Sequence, residues 1–145
     1  MLLEEREAVL AANRVPLAEV VGYASAAVAS NGALADSLCD AMHRAGWTRA
    51  DVTAYAVAAP PLTGWRDAAA RAVRSVLGEC PGSLTFEARL GHPLAAAGPL
   101  DVARIVKTFA GGSRVLTSAV GCSGEAVTLA LDVVAPANLD YSKSA

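Results

Sequence analysis

The chain has 145 residues, enough for one domain of ordinary size, and its 54% hydrophobic content supplies a sizeable core. Twelve basic residues against fourteen acidic ones give a formal net charge of −2 with no basic stripe, so nucleic acid is not an expected partner. No apolar run reaches the length of a membrane span, and the opening Met1-Leu2-Leu3-Glu4-Glu5-Arg6-Glu7 lacks the basic start and apolar core of a signal peptide; no membrane association is expected, and the cytoplasm is the expected location. Three cysteines, Cys39, Cys80 and Cys122, are an odd number without CxxC spacing, and read as free thiols; no disulfide, metal site or cofactor is expected.

In chain order, residues 2–12 read as a short Glu- and Ala-rich helix with Leu3, Arg6 and Leu10 on one face, closed by Pro16. Residues 17–28 read as a strand through Val20, Val21 and Tyr23, ended by Asn31-Gly32. A helix over 33–45 follows, with Leu34, Leu38 and Met42 along one side and His43 and Arg44 at its dipole-favoured end. Thr48-Arg49-Ala50-Asp51 has the form of a capping turn before a strand over 52–58, which Pro60-Pro61 closes. Residues 65–77 predict an amphipathic helix with Ala69, Ala72, Val73 and Val76 inward and an exposed Asp67–Arg71 pair. A short strand over 84–86 leads to a helix over 95–110, stopped by Gly111-Gly112. Strands over 114–120 and 125–134 are joined by a four-residue hairpin link, 121–124, and the polar tail 136–145 is expected to be disordered. Cys39 reads as a core residue, Cys80 as a loop residue and His43 as solvated.

After a leading helix the order is βαβαβαββ. That predicts an α/β chain with a mixed, mostly parallel five-stranded sheet and helices on both faces. The expected organisation is a leading helix over 1–16, one domain over 17–135 and the tail over 136–145.

The stretch from Leu84 to Gly98 carries the chemistry. Gly91-His92 stands just before an alanine-rich helix start, where unpaired N–H groups and the positive end of the dipole gather. Such a corner suits a general base or an anion site. The helix beyond it reads as apolar on nearly every face, through Leu100, Val102, Ala103, Ile105, Val106 and Phe109, which marks burial on both sides. Its charges Asp101, Arg104 and Lys107, spaced by three, are expected to share one narrow stripe. The remaining faces would expose an apolar patch that soluble monomers rarely tolerate, so a dimer sealed partly by this helix is expected.

Gly91-His92 resembles the Gly-His loop of β-ketoacyl synthases, which have the thiolase fold. Leu3-Glu4-Glu5-Arg6-Glu7-Ala8, followed by Ala18-Glu19-Val20-Val21-Gly22-Tyr23, is similar to the entry into that family's C-terminal half. Gly46-Trp47-Thr48-Arg49-Ala50-Asp51-Val52 resembles its helix-to-strand turn, and Gly121-Cys122-Ser123-Gly124 sits where the family has a Gly-Phe-Gly-Gly loop. The resemblance runs from about Leu3 to Val133 and implies a single thiolase-like half domain.

The resemblance also implies what is missing. The family performs Claisen condensation with a cysteine nucleophile on an N-terminal half that this chain is not expected to carry. Two histidines and a lysine in the C-terminal half activate the malonyl group and steady the enolate, where an oxyanion needs donors. The first histidine belongs to a His-Gly-Thr-Gly-Thr loop; here Ala59 falls in its place, and Pro60 and Pro61 remove backbone N–H groups. The lysine falls at Glu87, an inverted charge, and His92 alone is retained.

His92 could polarise a thioester carbonyl, or cap the helix after it; the structural reading is favoured. Glu87 is a candidate base, or a solvated carboxylate paired with Arg89. Cys122, in place of the family's aromatic gate, is a candidate nucleophile if its pKa is depressed and a base is in reach, and otherwise a small buried side chain. The candidate set is therefore catalytic His92, Cys122 and Glu87, with Gly121, Cys122, Ser123 and Gly124 lining a substrate loop. The expected function is a non-condensing accessory or chain-length-factor-like subunit of polyketide or fatty-acid-type biosynthesis. Its expected partners are a ketosynthase-like chain, a second copy of itself and an acyl carrier protein. The alternatives are the C-terminal half of a split ketosynthase, or a small enzyme acting on an acyl thioester through His92 with Glu87 or Cys122.

Overall fold

The computed structural model describes residues 3–27, 32–59, 64–79, 82–84, 97–121 and 125–134. Its elements are α1 (Arg6–Ala11), β1 (Ala18–Ala26), α2 (Ala33–Ala45), β2 (Ala54–Ala58), α3 (Trp65–Leu77), β3 (Ser83–Leu84), α4 (Ala97–Thr108), β4 (Arg114–Val120) and β5 (Ala126–Val133). Among the described residues no helix is long and apolar enough to cross a membrane.

The sheet order is β1-β5-β4-β2-β3. Strands β1 to β4 run one way and β5 the other, because β5 pairs antiparallel with both β1 and β4 while β2 pairs parallel with β4 and β3. The expectation of a mostly parallel sheet is therefore corrected to a mixed one. The last strand of the chain enters the interior of the sheet and reverses half of the pairings. Four strands are full-length, and β3 contributes only two residues at the edge.

Strand alternation sends successive side chains to opposite faces and builds two cores. On one face, Leu34, Leu38, Ala41 and Met42 of α2 and Ala69, Ala72, Val73 and Leu77 of α3 pack with Ala24, Leu116, Ala126 and Ala130. On the other, Ile105 of α4 packs with Ala54, Ala56, Val115, Leu131 and Val133. The connections β1-α2-β2 and β2-α3-β3 thus use one face, and β3-α4-β4 uses the other. α2 ends in a Schellman motif, with Gly46 N–H donating to the His43 carbonyl at 3.1 Å and Trp47 N–H to that of Met42 at 2.9 Å. β1 carries a bulge between Val20 and Gly22, and there the backbone of α2 lies almost in contact: a Cβ on Gly22 would fall on the Ala41 carbonyl oxygen.

The α2 face holds a buried hydroxyl chain. Ser37 Oγ donates to the Leu34 carbonyl at 3.0 Å, and Thr128 Oγ1 lies 2.8 Å from both Ser37 Oγ and Ser118 Oγ. A hydroxyl has one proton. Since Ser37 spends its own on the carbonyl, Thr128 donates to Ser37 and Ser118 donates to Thr128. The chain ties α2 to β4 and β5 without leaving a buried donor unmet. At the opposite end of the sheet, Arg114 reaches Asp51 at 2.5 Å and stands over the Trp47 ring, 5.7 Å from its centroid. The hydroxyl and amide of Thr48 donate to Asp51 and hold its carboxyl below the usual aspartate range.

Three readings of single residues are corrected. Cys39 is exposed, because it stands one residue past Leu38 and so about 100° around the helix from the buried side. Asp67 and Arg71 are exposed and make no ion pair with each other. α4 is not apolar all round: Asp101 and Ile105 face the sheet, and Arg104, Lys107 and Thr108 face outward. His43 is exposed, as expected. Cys80 and the tail 136–145 lie outside the described residues.

Candidate functional site

Helices leave neighbouring strands toward opposite faces at one place in the sheet. The carboxyl end of β2 leads to α3 on one face, and that of the adjacent β3 leads to α4 on the other. Such a divergence is a topological switch point, where open α/β sheets form a crevice beyond their strand ends. Gly121, just past β4, and Glu125, just before β5, lie at the same end. α4 follows residues 85–96 and runs back to the start of β4, so its amino end also points to this edge.

The register fixes the level of the described site residues. Ala58 pairs with Ala119, so Ala59 lies just past the end of β2, beside the final turn of chain into Gly121. Ala59 is partly buried and carries a methyl group where the family resemblance calls for an imidazole. Gly121 is the one candidate residue of the substrate loop that is described; its N–H donates to the Glu125 carbonyl at 2.8 Å. Cys122, Ser123 and Gly124 lie outside the described residues, as do Glu87 and His92, so the structure does not test whether they converge.

Two residues at this end went unforeseen. The carboxylate of Glu125 folds over Gly121, where any Cβ would fall on it, so a larger residue at 121 would displace the acid from the loop. Its place immediately after Gly-Cys-Ser-Gly was the available signal. The other is Asp101, only 3% exposed on the sheet side of α4. Burial pushes its carboxyl above the usual range, against a smaller opposing pull from Arg104. On β4, Thr117 Oγ1 is buried with no hydrogen-bond partner. Among the described residues no three His, Cys, Asp or Glu side chains gather as a metal site would require.

No family model and no curated protein matches the sequence. Solved structures do match in fold. The ishigamide ketosynthase/chain length factor superposes with a TM-score of 0.75 at 23% identity, covering 90% of this chain and 38% of that one. The dimeric peroxisomal thiolase of Saccharomyces cerevisiae gives a TM-score of 0.73 at 14% identity, covering 88% of this chain and 33% of that one. The chain has the fold of a thiolase-like half domain. A third match makes the same point: the complex of a type II polyketide synthase acyl-carrier protein with its ketosynthase bound to the hexaketide gives a TM-score of 0.73 at 20% identity, covering 90% of this chain and 42% of that one. The half domain thus spans well under half the length of each of these chains. In it the switch-point edge, with Ala59, Gly121 and Glu125, is the candidate site.

Proposed function

We propose that this thiolase-like half domain is a non-condensing, ketosynthase-like accessory subunit of the chain-length-factor type, serving polyketide or fatty-acid-type biosynthesis in the cytoplasm. The observation that carries the reading is Ala59. It stands at the end of β2 with no group able to donate to an oxyanion or move a proton. The inverted charge at Glu87 supports the same reading. In this proposal residues 17–135 form the working domain, residues 1–16 lead into it, and His92 and the loop 121–124 keep a structural or acyl-contacting role.

The proposal includes a partner: a second copy of the chain or a ketosynthase-like chain, with an acyl carrier protein delivering substrate. Two of the similar structures are of that kind, one a ketosynthase/chain length factor and one an acyl-carrier protein with its ketosynthase. The outward side of α4 does not support the pairing, since it carries Arg104 and Lys107. Support comes from the rest of that sheet face. α4 packs on β4 and β2, while Val20 and Tyr23 on β1 are 48% and 47% exposed beside the partly buried Leu129 of β5. The same uncovered strip favours the second reading, the C-terminal half of a split ketosynthase. Sedimentation and co-elution with candidate ketosynthases and carrier proteins test it. An associated species is expected, and Tyr23→Glu is expected to weaken it at least roughly tenfold while the fold is retained. A monomer that binds none of these chains would refute the partner.

A further inference from the structure

α4 rests on the sheet through a seam that is apolar except for two residues. Ile105 is fully buried against Val115, Ala54 and Ala56. One turn toward the amino end, the same helix face presents Asp101, 3% exposed. The strand beneath presents Thr117, also 3% exposed, whose hydroxyl meets no partner. A neutral carboxylic acid tolerates such a seam. A carboxylate does not, unless a cation faces it.

Among the described residues no cation faces it from the sheet. On this face β4 presents Val115, Thr117 and Ala119, and β2 presents Ala54, Ala56 and Ala58; none of them titrates. Arg114 of β4 is committed on the opposite face, to Trp47 and Asp51. On α4 itself, Arg104 and Lys107 are exposed, and Arg104 acts on Asp101 only as the minor, opposing influence.

We propose that Asp101 is a protonation latch for α4: neutral, it lets the helix lie flat on β4 and β2; ionised, it lifts the amino-terminal half of the helix from the sheet. That half points to the switch-point edge that holds Ala59, Gly121 and Glu125, so the latch controls the seating of the helix at the candidate site. The inference holds whether or not the chain acts on thioesters. The direction follows from burial, which raises the carboxyl above its unfolded value. The stabilisation is therefore full below the ordinary aspartate range and is lost as pH rises through the raised value.

Amide hydrogen exchange, divided by intrinsic rates, reads this directly. From about pH 3, below the ordinary aspartate range, to about pH 8, α4 amides of the full chain are expected to lose protection by roughly threefold or more, while α2 amides hold theirs. Asp101→Asn, neutral at both values, is expected to abolish the difference. Thr117→Val removes the unmet hydroxyl and is expected to raise α4 protection equally at both pH values, leaving the pH difference intact. A wild-type α4 whose protection ignores pH would overturn the proposal, and so would an Asp101→Asn protein that keeps the wild-type pH difference. The wild-type result decides even if a variant fails to fold.

Discussion

Replacing Leu38 by alanine is expected to remove about 3 kcal/mol of stability, a large share of what a domain of this size has. Leu38 has no exposed surface. It lies mid-way along α2, the helix that packs on β1, on β5 and on α3, so the space it leaves is walled by three elements. β1 and β5 are held in a hydrogen-bonded ladder and cannot move inward to close it. The helix is also tied down by the Ser37–Thr128–Ser118 hydroxyl chain one residue away. Urea titration should show a lower midpoint at an unchanged slope. A loss below about 1 kcal/mol would mean that the site collapses freely, and that α2 is not the rigid support described here.

Gly22→Val is expected to cost at least as much, on the order of 3 kcal/mol, by the opposite route of overfilling. The new Cβ would meet the Ala41 carbonyl oxygen and come within 3.0 Å of Ala45 Cβ and 3.1 Å of the Ala45 nitrogen. Two of these three obstacles are backbone atoms of α2, which cannot rotate aside. Either α2 lifts from β1 and loses its packing on the sheet, or the bulge at Val20–Gly22 is pulled straight and the pairing with β5 is disturbed. Ser25→Val, at an exposed position of the same strand, is the matched control and should change stability by no more than about 0.5 kcal/mol. Thermal unfolding followed by circular dichroism checks the pair; equal midpoints would contradict the close packing of α2 on β1.

Local chemistry made much of the fold legible. α2 and α3 begin and end where their spacing predicts, because Gly46 and Gly78 stand just past amphipathic runs that bury Leu34, Leu38 and Met42, and Ala69, Ala72 and Val73. β4 likewise matches its apolar run. The strand order was not legible, since pairing β1 with β5 joins residues about a hundred positions apart and leaves no local trace. α4 misled through its spacing. Positions three apart fall about 60° short of a full turn, so Asp101, Arg104 and Lys107 spread over roughly 120° instead of forming one stripe, and the first of them reaches the sheet. Of the candidate site residues only Gly121 is described, and Glu87, His92, Cys122, Ser123 and Gly124 lie outside the described residues. Glu125 escaped because its place just after Gly-Cys-Ser-Gly does not by itself say that the carboxylate turns back over Gly121.

The most direct measurement is a condensation assay. The purified chain is incubated with acyl and malonyl thioesters, and β-ketoacyl product is sought by mass spectrometry against a heat-denatured control. With Ala59 and Glu87 in place of the donor groups of the β-ketoacyl synthases that the sequence resembles, no product above the control is expected from the chain alone. Turnover above that control which disappears on His92→Ala would contradict a non-condensing subunit.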